Sequence, residues 1–95
     1  MVKHIVMWKL KDKNGAAALK AALEALAGKI PGLLAIEVGI DFLQSEQSAD
    51  LVLTTTHTDR DALAAYQAHP EHQAVVPMVR AATMARTVVD YELSQ

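Results

Sequence analysis

The chain has no cysteine. That absence excludes a disulfide framework, a thiolate nucleophile and any metal site built on sulfur ligands. Aromatic residues are scarce too, with one tryptophan, two tyrosines and one phenylalanine. Neither sign of charge dominates: nine lysines and arginines stand against eleven aspartates and glutamates, a net charge of -2 with histidine neutral. The charges are scattered and form no basic stripe, so no nucleic-acid partner is expected. No run of about eighteen apolar residues occurs, and charged residues interrupt the opening MVKHIVMWKLKDK too early for a signal peptide. No membrane partner is expected, and the protein reads as cytoplasmic.

What is present is an apolar chain, 52% hydrophobic over 95 residues, with no linker or low-complexity tract. One domain spanning residues 1–95 is expected. A domain of this size buries only a modest share of its surface alone, which makes oligomerisation a natural supplement.

Residues Val2 to Leu10 alternate, with His4, Val6, Trp8 and Leu10 on one side and Lys3, Ile5, Met7 and Lys9 on the other, a first strand apolar on both faces in its middle. Asn14 is placed to cap a helix in which Leu19, Ala22, Leu23, Leu26 and Ile30 recur at helical spacing, with Gly28 near its end. After the Pro31-Gly32 break a second strand runs over Leu34, Ile36, Val38 and Ile40, which alternate with Ala35, Glu37, Gly39 and Asp41, and Phe42 can extend it. A third strand covers Ala49 to His57. Thr58 is a suitable cap for a second helix, with Asp59 and Asp61 in its first turn and Leu63 and Tyr66 on one face. The dipeptide His69-Pro70 interrupts it and opens a further helix carrying His72, Val75, Val76 and Val79, which Pro77 is expected to distort. Met84 to Leu93 forms the fourth strand.

The order strand, helix, strand, strand, helix, strand is that of an α+β, ferredoxin-like split βαβ subunit: a four-stranded antiparallel sheet with its helices on one face. The other face holds Ile5, Met7 and Val52, which is too apolar to stay wet. A second copy packed sheet against sheet around a two-fold axis supplies the cover, so a homodimer is expected.

The densest group of ionisable rings is Tyr66, His69 and His72 in the segment YQAHPEH, which His4 can face from the first strand. His72, in the first turn after Pro70, sits where the helix dipole disfavours the imidazolium and keeps a base available near neutral pH. Tyr66 can orient or polarise a carbonyl oxygen. Each of these residues also has a plain structural reading: His69 can fix the turn before proline through the backbone, Tyr66 can be a packed ring with a bonded hydroxyl, and His4 can be a satisfied strand histidine. His4, Trp8 and His69 are the candidate pocket residues, while Trp8 can equally be core. A metal reading would use His69 and His72 with Asp59 or Glu71, but the intervening proline spoils the one-face geometry, and neither metal nor cofactor is expected. Glu37 with Asp41 can pair on strand two or stay solvated, and Arg86 with Asp90 can form ion pairs across a dimer contact.

The segments VKHIVMWKLK, IPGLLAIEVG, ALAAYQAHPEHQAVVP and TVVDYEL, in this order and at these separations, resemble the stress-responsive dimeric α/β-barrel domain family over nearly the whole chain. The resemblance implies a ferredoxin-like subunit and a homodimer whose two sheets close into a barrel. It implies no single activity. Most members are known as small stress-associated proteins, but a plant member closes a linear polyketide by a cofactor-free aldol condensation, and its catalytic tyrosine and histidine match Tyr66 and His72 here. The strand-one histidine of its pocket matches His4. Two positions depart from that enzyme: His57 stands where an aromatic or aliphatic residue is expected, and Leu51 replaces a pocket histidine. The expectation is therefore a small stress-response-type dimer with a pocket for a small organic ligand, with a cofactor-independent cyclase or isomerase as the alternative. A monooxygenase of a neighbouring dimeric-barrel family is a second alternative, although Asn14, the sole asparagine, lies in a turn.

Overall fold

Every second residue of the first strand is buried, and this alternation sets the layers of the molecule. The computed structural model describes residues 1–94. Its elements are β1 (Val2–Leu10), a 3-10 turn (Lys13–Gly15), α1 (Ala16–Glu24), β2 (Leu33–Ile40), β3 (Leu51–His57), α2 (Arg60–Ala68), α3 (Pro70–Ala82) and β4 (Thr83–Glu92). The four strands form one sheet in the order β2-β3-β1-β4, antiparallel throughout. This is the split βαβ topology expected from the sequence.

Val2, His4, Val6, Trp8 and Leu10 of β1 and Leu51, Leu53, Thr55 and His57 of β3 all face the helices and are buried. Val6, Trp8, Leu51, Leu53 and Val38 pack with Leu19 and Leu23 of α1 in one cluster, and Val2, Leu26, Ile30, Leu63 and Tyr66 form a second. Asp50 ties the end of β1 to the start of β3: its carboxylate accepts the buried Leu10 N–H at 2.8 Å and its own N–H donates to the Trp8 carbonyl at 2.8 Å. Among the described residues, nothing covers the opposite face. Ile5 pairs there with Val89, and Lys3 with Tyr91, while Met7 is 38%, Tyr91 42% and Val89 51% exposed.

Several local expectations give way. Asn14 does not cap α1; the Asp12 carboxylate accepts the Asn14 N–H at 2.9 Å and starts the 3-10 turn one residue earlier, and α1 follows without a side-chain cap. The first helix stops at Glu24, where the bonding tightens to turns (Leu26 N–H to the Leu23 carbonyl and Ala27 N–H to the Glu24 carbonyl, both 3.1 Å) that run on to Gly28 at φ 74°, and Leu26 and Ile30 reach the core from this stretch. Asp59 rather than Thr58 caps α2, accepting the Ala62 N–H at 2.8 Å. Pro77 lies on the exposed side of α3, which continues past it to Ala82. Asp41 falls outside β2 and its carboxylate instead accepts the Gln44 N–H at 2.6 Å, so it makes no pair with the exposed Glu37. Among the described residues, no helix is long and apolar enough to cross a membrane.

Candidate functional site

A cavity of about 350 Å³ opens between the helix-facing side of the sheet and α3. Its apolar wall comes from Val6, Leu53, Leu23 and the valines Val75, Val76 and Val79 of α3. Its polar groups are His4 from β1, Gln67 from the end of α2, His72, Gln73 and Arg80 from α3, and Arg86 from β4. Period-two alternation brings the strand residues in, since His4 and Trp8 share the buried face of β1 and pair across to Asp90 and Arg86 of β4. The break at His69-Pro70 brings in the helical ones, because it turns the chain so that α3 starts with His72 in its first turn.

The Nδ1 of His4 is hydrogen-bonded to the Asp90 carboxylate, an ion pair when the ring is protonated. A carboxylate only accepts here, so Nδ1 carries the proton in this bond. Arg86 and Asp90 were expected to meet a partner subunit. Both point to the helix side instead, Asp90 onto His4 and Arg86 onto the cavity. The two successive valines Val88 and Val89 made the inward phase of β4 ambiguous in the sequence.

His72 donates Nδ1–H to the Gln67 carbonyl at 3.1 Å, which fixes the tautomer and leaves Nε2 basic when the ring is neutral. Burial lowers its pKa below the ordinary histidine value; the Gln67 carbonyl opposes this, and the charges of His4 and Arg86 reinforce it. Burial and the position at the N-terminus of α3 act in the same direction, both disfavouring the imidazolium.

Tyr66 lies behind the cavity wall rather than on it. The side chain is fully buried, with its ring centroid 4.6 Å from that of His72, 4.9 Å from His57 and 6.4 Å from His4. Its hydroxyl has no hydrogen-bond partner among the described residues, and burial pushes its pKa up to about 12, so it remains a neutral hydroxyl. His57, outside the candidate set read from the sequence, completes this cluster of mutually tilted rings: fully buried, bonded through Nε2 to Thr55 Oγ1 at 2.8 Å, with its pKa lowered by burial and then by His4, against the opposing pull of Asp90. Its inward phase was legible from the alternation of β3; its packing on Tyr66 was not.

His69 is not on the cavity. Its Nδ1 accepts the Glu71 N–H at 3.1 Å and caps α3, the turn-fixing role. This cap also separates its ring from His72, and among the described residues no group of three histidine, aspartate or glutamate side chains is placed to hold a metal ion. Trp8 is 4% exposed, contributes to the cavity wall and packs in the core cluster. Arg80, Arg86, Gln67 and Asp90 had no sequence signal, since their convergence depends on strand register and on the length of α3.

A four-stranded antiparallel sheet with helices on one face defines a ferredoxin-like α+β domain, here with a cavity between its layers. The model of the stress responsive A/B barrel domain matches residues 2–93, and the chain belongs to that family. An uncharacterised protein of Streptomyces coelicolor is 34% identical over 98 residues, covering 97% of this chain and 99% of that protein. Among solved structures, a dimeric protein of ferredoxin-like fold from Bacteroides fragilis is 34% identical with a TM-score of 0.86, over 97% of this chain and 95% of that one. An antibiotic biosynthesis monooxygenase shares the fold at 23% identity and a TM-score of 0.79, over the full length of both chains.

Proposed function

We propose that this protein is a homodimer that holds a small organic molecule in the cavity between sheet and α3, as a stress-response-type member of its family. The observation that carries the reading is the cavity itself, about 350 Å³ with an apolar wall and converging polar groups, which is the usual build of a small-molecule site. The dimer is supported by the uncovered apolar face around Met7, Val89 and Tyr91 and by the dimeric Bacteroides fragilis relative. A thermal-shift screen of a small-molecule library against the wild type and Val79→Trp tests the reading, because a tryptophan at Val79 fills the cavity without touching the outer sheet face. Ligands should raise the wild-type Tm and leave the plugged variant unmoved; equal shifts in both would place binding elsewhere.

A second reading, a cofactor-independent enzyme acting on a carbonyl compound, is favoured by one observation: His72 has a fixed tautomer, a pKa lowered by burial, and the Tyr66 ring tilted against it with centroids 4.6 Å apart. In that mechanism His72 Nε2 takes a proton from carbon between two carbonyls, while Tyr66, buried behind the cavity wall, backs the His72 ring and holds its orientation. Deuterium exchange into a simple 1,3-diketone reports this step without knowledge of the natural substrate. Exchange accelerated by the wild type and lost in His72→Ala supports it; no acceleration over buffer speaks for binding alone. The monooxygenase reading has only the shared fold behind it.

A further inference from the structure

We propose that the ligand of this cavity is an amphipathic organic carboxylate, gripped by Arg80 and Arg86 and packed along the valines of α3. The inference rests on the ligand-cavity reading above and names its substrate class. It starts from a charge asymmetry. Acidic residues outnumber lysines and arginines in the chain as a whole, eleven to nine, yet no aspartate or glutamate lines the cavity, while two arginines and two histidines do. The one carboxylate close behind the wall, Asp90, is taken up by His4. Neither arginine has an ion-pair partner among the described residues, whose salt bridges involve Asp90, Asp50 and Glu92 with other bases.

Unpaired arginines beside an apolar wall fit an anion with an apolar body. The guanidinium presents a planar fork of donors that matches a carboxylate in two parallel hydrogen bonds, and it stays charged at any physiological pH. Arg86 reaches the cavity from the sheet, as the cross-strand neighbour of Trp8, and Arg80 from α3 on the opposite side, so an anion between them is held from both layers. The apolar part of the ligand then lies against Val75, Val76 and Val79. A volume of about 350 Å³ is near the lower end for small-molecule sites, which suits a medium-chain or single-ring acid rather than a larger cofactor.

The test uses the fluorescence of Trp8, the sole tryptophan, which contributes to the cavity wall. Full-length protein is titrated with a series of n-alkanoates and with the 1-alkanols of equal chain length, in parallel with Arg86→Gln and Arg80→Gln. Both arginines are exposed enough for these variants to fold. The expected result is that an alkanoate binds at least about tenfold more tightly than its alcohol. Each glutamine variant should weaken the alkanoate by a similar factor and leave the alcohol unchanged. Alcohols binding as tightly as the acids, or acids indifferent to both substitutions, would overturn the carboxylate assignment while leaving the cavity reading in place. If neither series binds, the cavity reading fails, and this inference with it.

Discussion

Mild acid should loosen this fold, because burial holds His57 and His72 below the ordinary histidine pKa inside it. Burial lowers the pKa of both below the ordinary value of 6.5. The unfolded chain takes up a proton on each ring near that value, whereas the folded chain does so only at lower pH. Between the two pKa values the unfolded state therefore binds more protons, and stability rises with pH. The contribution is complete above about pH 6.5 and is lost as the pH falls towards the folded-state pKa. Each fully displaced proton is worth at most about 1.4 kcal/mol per pH unit. His57, fully buried, should approach that slope, and the partly exposed His72 should fall short of it. Against a total stability of roughly 5–15 kcal/mol for a domain, such a slope is easily resolved. Urea unfolding at fixed protomer concentration, repeated from about pH 7.5 to 5.5, measures it. His57→Gln removes one titrating ring while keeping an amide next to Thr55, and should flatten the dependence by up to about 1.4 kcal/mol per pH unit. An unchanged slope in that variant, or a wild type that gains stability on acidification over this range, would refute the reasoning.

Three further substitutions probe the frame that holds the cavity. Asp50→Ala strands the buried Leu10 N–H and should cost about 1–3 kcal/mol in urea unfolding; a loss below about half a kilocalorie would mean that the contact carries no weight. Gly32→Ala should destabilise by about 2 kcal/mol or more, since φ is 83° there and the new Cβ would lie 2.7 Å from the Ala62 Cβ. A Tm within a degree or so of the wild type would contradict that geometry. Tyr66→Phe removes a hydroxyl with no partner among the described residues, so stability should stay within about 0.5 kcal/mol or rise; a loss beyond about 1 kcal/mol would reveal a hydrogen bond to that hydroxyl in the folded protein.

The sequence carried the layers of this molecule better than its contacts. Alternation in β1 placed His4, Val6, Trp8 and Leu10 on the buried side, because a pleated strand leaves no other choice once one face is apolar. Capping was less legible: Thr58 and Asp59 are adjacent and chemically equivalent for the task, and the choice is made by where the backbone is still extended, at Asp59 with φ -161°. The phase of β4 was hidden because Val88 and Val89 are both apolar, and this placed Arg86 and Asp90 on the wrong face. The pairing of His4 with Asp90 spans 86 residues and follows from the β1–β4 register, which no local pattern encodes. His69 and His72 were separable in YQAHPEH by their places on either side of Pro70, which sends one to cap a helix and the other to the cavity.

Native mass spectrometry of freshly purified protein tests the central claim most directly, since one spectrum reports both subunit count and any small molecule carried along. The account predicts a species of twice the protomer mass that bears an additional organic mass, released when Val79→Trp fills the cavity. A clean monomer at micromolar concentration would contradict it, because the face around Ile5, Met7 and Val89 would then stand exposed with nothing to cover it.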